Sequence, residues 1–367
     1  MKVKLKYSKY WFIYFLIKLF YMFFAVFIYA KLTILGDTSR WMSGNLSHSL
    51  EQILTNSSMM MDFLGGISSA IFGSVLGHLP FMLLALYGVF YSVSRIQLSN
   101  KQLFYILVLL SLPSFGVWSS IAGKEAIGVF YMGIMCGYLI DILNKTRSKP
   151  KPIEFLAFYL LLLFKPQYSI AIGSIFLFIF ISRKLHLKGY GKLFLFIFHV
   201  SLAGVLFYVF RDIINELSFM LPAHFSLDAG STRENTIWIN DYDVIYNAPY
   251  GMFIGFWGPT VSEIFEKPIQ SFVFVENLII FAFCIFFIWK FFCKTLKTSK
   301  LDIFAFSLVF IVLFWLLFVH YPFGVLNPGS AVRYRENFYG FIVVFLFYLY
   351  ISYFSSWKNE IKKSEYV

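Results

Sequence analysis

The sequence predicts an all-α polytopic membrane protein with about ten transmembrane helices, and three observations lead there. The mean hydropathy is +0.73, with 48 Phe and 24 Tyr among 367 residues. That is more large apolar side chain than a soluble core of this size can bury. Apolar runs of about 17–25 residues recur along the whole chain, the length a helix needs to cross a bilayer. The basic residues, which give a net charge of +12, cluster against those runs, as cytoplasmic loops do under the positive-inside rule. A barrel would show short segments alternating polar and apolar positions, and none appear.

Taken in order, the spans read as about 10–30, 67–91, 102–120, 126–143, 153–164, 167–182, 193–210, 271–290, 301–319 and 338–355, with both termini cytoplasmic. The first run follows Lys2, Lys4, Lys6 and Lys9. It lacks a small-residue cleavage site, so it reads as a retained anchor. The later clusters are Lys145, Arg147, Lys149 and Lys151; Arg183, Lys184, Lys188 and Lys192; and Lys290, Lys294, Lys297 and Lys300. This threading places 21 of the 31 Lys and Arg in cytoplasmic segments, 9 in outer ones and Lys18 within the first span. The charge therefore reports topology, and no nucleic-acid partner is expected. Cys136 and Cys284 fall in apolar runs and Cys293 at a basic helix end, so neither disulfides nor a thiolate metal site is suggested. No internal repeat appears, which argues against an inverted-repeat transporter. Residues 1–367 read as a single integral membrane domain.

The span 153–164 gives about 18 Å of helix, too short to cross alone. With 167–182 it is expected to meet at "KPQ" below the outer surface and floor a cavity, since polar backbone at membrane depth must be surrounded by protein or water. A single helix kinked through Pro166 is the alternative, but it would put the basic segments 145–151 and 183–192 on opposite sides. Three outer loops remain, at about 31–66, 211–270 and 320–337, and they are expected to line the cavity. The first carries Asp37, Arg40, Glu51 and Asp62 among apolar residues and suggests an interfacial helix.

Charges at membrane helix ends are the informative residues, because burying one unpaired is costly. In "GVWSSIAGKEAIGVF" (116–130), Lys124 and Glu125 either neutralise each other at a helix start, or Lys124 faces an anionic headgroup while Glu125 orients it. Lys165, in "LLLFKPQYSIA", has no acid near it in sequence and either snorkels or meets the same anion. Asp37, in "LGDTSRW", is a turn former or a base at the membrane surface; Arg40 either pairs with it or binds phosphate. Arg333 and Arg335 in "GSAVRYREN" are two apart, so in an extended segment both point to one face. There they would clamp a diphosphate bidentately, assisted by Arg211 and Arg233. His320 is either a base near neutral pH or structural. Trp238, Tyr242, Tyr246, Tyr250, Phe256 and Trp257 suit stacking on sugars or an interfacial aromatic belt. Asp241 and Asp243 form a lone D-Y-D, too weak a pattern to imply a metal.

Together "GDTSRW", "PSFGVWSSIAGKEA", "LLLFKPQYSIA" and "AVRYREN" resemble bacterial surface-polysaccharide membrane proteins. They are similar to O-antigen or capsular repeat-unit polymerases of the Wzy type and to GT-C-like glycosyltransferases. That resemblance implies a GT-C-like fold in the bacterial inner (cytoplasmic) membrane. It implies an enzyme that polymerises undecaprenyl-diphosphate-linked oligosaccharide repeat units at the periplasmic face, with no nucleotide sugar and no cofactor. It also implies functional arginines in two periplasmic loops, mapping here to Arg211 and Arg233 and to Arg333 and Arg335, and a chain-length regulator as partner. Metal-dependent GT-C enzymes often carry a D-D or D-E pair in the first outer loop; Asp37 stands alone, which favours a metal-independent polymerase. Asp37 or His320 would take the acceptor proton. Arg333, Arg335, Lys124 and Lys165 would stabilise the departing diphosphate. A GT-C enzyme using a polyprenyl-monophosphate sugar is the first rival and a lipid-linked oligosaccharide flippase the second. An O-acyltransferase would want a histidine near the first span, and the first 47 residues contain none.

Overall fold

A chain this apolar must satisfy its backbone N–H and C=O groups within each segment, and every regular element among the described residues is helical. The structure, a computed structural model, describes residues 8–224, 233–298 and 302–364. Lys2, Lys4, Lys6 and Lys300 of the basic clusters, the side chain of Lys297, and residues 225–232 of the 211–270 segment lie outside the described residues. Among the described residues, seven helices are long and apolar enough to cross a membrane: Lys9–Leu32, Ser57–Leu76, Lys124–Leu143, Pro166–Lys184, Tyr190–Val209, Ser271–Leu296 and Ile303–Gly324. The protein is thus a polytopic helical membrane protein. Its chain divides into two compact units, Met1–Pro166 with Glu336–Tyr348, and Gln167–Arg335 with Leu349–Val367.

In the first unit, α1 (Ser8–Phe24) runs through a π-helical turn, Ala25–Tyr29, into α2 (Ala30–Leu32). Lys18 lies buried in α1 and donates to Ser119 Oγ and to the Gly116 carbonyl at 3.4 Å, so this intramembrane charge has polar partners. Two short helices follow, α3 (Thr38–Met42) and α4 (Leu50–Thr55). The next two, α5 (Ser57–Leu76) and α6 (Leu79–Val93), replace the predicted single span 67–91. Asn56 Oδ1 accepts from the N–H groups of Ser58 and Met59 at 2.9 and 3.2 Å, a cap that starts α5 ten residues early. Pro80 sits in the first turn of α6 and forces the break before it. The predicted span 102–120 is likewise two helices, α7 (Asn100–Leu109) and α8 (Pro113–Trp118). Leu112 is extended, with ψ 145°, as the residue before a proline tends to be. Next come α9 (Lys124–Leu143) and α10 (Pro152–Phe164). Nearly all of α9 is buried, including Glu125 through Gly137, which makes it the axis of this unit, with α6 and α10 packed along it. At Lys165 the backbone leaves the helical region (φ −147°, ψ 69°) and ends α10 where "KPQ" was expected to break it.

The second unit holds α11 (Pro166–Lys184), α12 (Tyr190–Val209), α13 (Arg211–Met220), α14 (Asp243–Tyr246), α15 (Ala248–Trp257), α16 (Val261–Glu266), α17 (Ser271–Thr298), α18 (Ile303–Gly324) and the ends of α19 (Pro328–Ser364). Ile237, Trp238, Val244, Ala248 and Ile254 form a core with Tyr321, Val325 and Leu326. Trp238 is therefore packing rather than a sugar platform, its ring edge-on to Tyr321 at 5.5 Å. The predicted loop 320–337 shrinks to three residues between α18 and α19. Asn327 Oδ1 accepts from the Ser330 N–H at 2.9 Å and Pro328 takes the first helical position, where its missing N–H costs nothing. Arg333 and Arg335 consequently lie on a helix, about 200° apart around its axis, and the shared face expected of an extended segment is not formed.

Candidate functional site

In the first unit, α3 is seated directly on the backbone of α5. A Cβ added to Gly65 would lie 2.2 Å from the Trp41 carbonyl oxygen, and one on Gly44 2.0 Å from that of Asp62. Only glycine permits that approach. It buries the Trp41 indole and sets charged side chains around it. The Arg40 guanidinium carbon stands 4.7 Å from the centroid of that ring and Lys124 Nζ 5.4 Å from it, both within cation–π range. Lys124 Nζ also donates to Ser57 and Ser58 Oγ at 3.0 Å each. The cluster therefore sits where α5 and α9 both begin, and two helix N-termini add partial positive charge to two cations. Arg40 Nη2 reaches Asp62 Oδ2 at 3.1 Å, and its side chain is still 57% exposed, so it can take a further anion. His48 Nε2 stands 3.5 Å from the same Asp62 oxygen.

The pairing of Arg40 with Asp37 is thereby corrected: Arg40 turns to Asp62, and Asp37 is exposed just before α3. The Asp37 side chain caps nothing; its carbonyl accepts from the Trp41 N–H at 3.0 Å. Glu125 is buried in the first turn of α9 with its carboxylate folded back beside Gly123. Lys165 is buried at the end of α10.

The second unit spends two of the predicted site residues on one helix end. The last carbonyls of α15 have no intrahelical donor, and side chains from three other helices supply them. His320 Nε2 meets the Gly255 carbonyl at 3.0 Å, and Arg335 Nη1 donates to that of Phe256 at 3.2 Å. Asn277 Nδ2 donates to Trp257 O at 3.2 Å and to Gly258 O. A carbonyl only accepts, so His320 carries its hydrogen on Nε2, and its Nδ1 lies 3.4 Å from Tyr168 Oη. Arg335 is wholly enclosed, bonded to Asn277 Oδ1 and 3.5 Å from Glu276 Oε1. A guanidinium at a helix C-terminus complements the dipole, and the nearby carboxylate offsets the cost of burying it.

The other arginines singled out from the sequence each have contacts of their own. Arg333 lies over the Tyr334 ring at 4.9 Å and donates to its hydroxyl at 3.0 Å. Arg233 grips Glu263 with two bonds, 2.6 and 3.0 Å, and its own N–H donates to Leu326 O at 2.7 Å. Burial pushes the Glu263 carboxyl upward, but the Arg233 fork and the Thr260 N–H outweigh it and hold it below its ordinary value. Arg211 opens α13 over the rings of Tyr208 and Tyr242 at 4.4 and 5.8 Å, 3.7 Å from Asp212. Asp243 accepts the N–H groups of Ile239 and Asn240, and Asp241 accepts from Asn215, so the D-Y-D pair closes a turn.

Sequence reasoning missed Trp41, His48, Ser57, Ser58 and Asp62. Their signals were present: an Asn cap in "TNSSMMMD", and the Gly65–Gly66 pair that admits a neighbouring backbone. Comparison with protein-family models, curated proteins and solved structures finds no match to this chain.

Proposed function

We propose that the protein is a membrane glycosyltransferase that polymerises undecaprenyl-diphosphate-linked oligosaccharide repeat units at the periplasmic face of a bacterial inner membrane. In this reading the chain has about ten spans in a GT-C-like arrangement, both termini are cytoplasmic, and a chain-length regulator is the implied partner. The observation that carries it is the meeting of two separate motifs: "GDTSRW" supplies Arg40 and Trp41, "SSIAGKEA" supplies Lys124, and both cations stand on one indole. A diphosphate leaving group needs such a constellation, because charge develops on it as the anomeric bond breaks. Arg40 and Lys124 would hold it, with the first N–H groups of α9 beside it. Arg335 and His320 keep α15 in place, and Arg233 keeps the segment 233–242 on α16. None of these three is assigned to the diphosphate.

The test is complementation of a polymerase-deficient host that makes the matching repeat unit, read as surface glycan on a gel. The wild-type chain should give a ladder of lengths. Lys124→Ala should abolish it, as expected for a loss of about 10²–10³ in turnover when one such donor is removed, and Arg40→Ala should shorten it. A ladder untouched by both substitutions contradicts the site. A single capped unit, with transfer only from a polyprenyl-monophosphate sugar, moves the protein to the single-sugar transferase reading.

A further inference from the structure

Asp62 and His48 lie at the edge of the cationic cluster, and neither was assigned a role by the sequence. Asp62 is 6% exposed, on the first turns of α5. Its Oδ2 takes Arg40 at 3.1 Å and faces His48 Nε2 at 3.5 Å. Its Oδ1 is buried and accepts no hydrogen bond from the described residues. The His48 side chain is 17% exposed, which leaves the imidazole reachable.

We infer that His48, oriented by Asp62, is the general base that takes the acceptor sugar's proton. The inference rests on the glycosyltransferase reading above. His48 Nε2 makes no hydrogen bond among the described residues; with its hydrogen on Nε2, turned toward the Asp62 carboxylate 3.5 Å away, Nδ1 keeps its lone pair. The acceptor hydroxyl oxygen forms its bond to the anomeric carbon of the lipid-linked donor, and its proton passes to Nδ1. The anomeric carbon–oxygen bond breaks with its electron pair going to the diphosphate, whose charge lies beside Arg40 and Lys124. The imidazolium then returns the proton to water. Asp62 stabilises that imidazolium.

The experiment uses the full chain in nanodiscs with undecaprenyl-diphosphate-linked repeat units, comparing wild type with His48→Ala. The expected result is a rate lower by about 10²–10⁴-fold, binding of undecaprenyl diphosphate within about threefold of wild type, and partial recovery of the rate with added imidazole. Recovery distinguishes a missing base from a disturbed fold. A His48→Ala protein that keeps its rate, or one that loses rate and diphosphate binding together without recovery, overturns the inference while the polymerase reading stands. A wild-type protein that transfers nothing from this donor overturns both.

Discussion

Glu263 is held by the two-pronged grip of Arg233 and by the Thr260 N–H, whose hydrogen bonds outweigh the effect of burial and keep its carboxyl below its ordinary 4.5. A lowered folded value means the contribution is fully present above the unfolded value and is lost as pH falls through the folded one. Glu263→Gln should therefore cost about 1–3 kcal/mol at neutral pH, and that difference should shrink below about pH 4.5. Thermal unfolding of both proteins in detergent across pH checks it; a gap that stays constant down to the most acid pH contradicts it. At this scale the sequence was informative about which residues matter and less so about why. Lys124 stands first in its helix, as read. Arg335 and His320 meet carbonyls at the end of α15, contacts that cannot be foreseen between residues sixty to eighty positions apart.

At the scale of elements, α3 and α5 make the site by touching through glycine. Gly65→Val should force α3 away from α5, with an overpacking cost of about 1–3 kcal/mol or more, and should separate Arg40 from Lys124. Gly204→Ala is the control, since a Cβ there meets nothing within 4 Å. Unfolding midpoints and glycan ladders of the two variants should diverge; equal behaviour would contradict the packing argument. The long apolar helices were readable because hydropathy alone defines them, as in Lys124–Leu143 and Tyr190–Val209. The errors fall where a cap or proline overrides hydropathy: Asn56 starts α5, Pro113 splits 102–120, and Asn327–Pro328 turns an expected loop into the first turns of α19. Each is a local signal of two or three residues inside a longer run that a hydropathy reading averages away. The cluster around Trp41 was half legible. Its cations were singled out, but their convergence depends on a backbone contact between Gly44, Gly65 and their neighbours that no spacing along the chain encodes.

At the scale of the whole molecule, seven helices of membrane length among the described residues and two compact units carry site arginines that divide by their surroundings. Arg233 and Arg335 are tied into the protein by carboxylates and carbonyls, whereas Arg40 remains largely exposed beside Lys124 and Trp41. That division makes the Arg40–Lys124 cluster the centre of the account. The most direct test is reconstitution of the purified chain in liposomes with an undecaprenyl-diphosphate-linked repeat unit as the only glycan. A product ladder with release of undecaprenyl diphosphate is expected from the wild type, and no ladder from Lys124→Ala. A Lys124→Ala protein that extends chains like wild type, or a wild type that leaves the diphosphate-linked unit untouched while accepting a monophosphate-linked sugar, would contradict it.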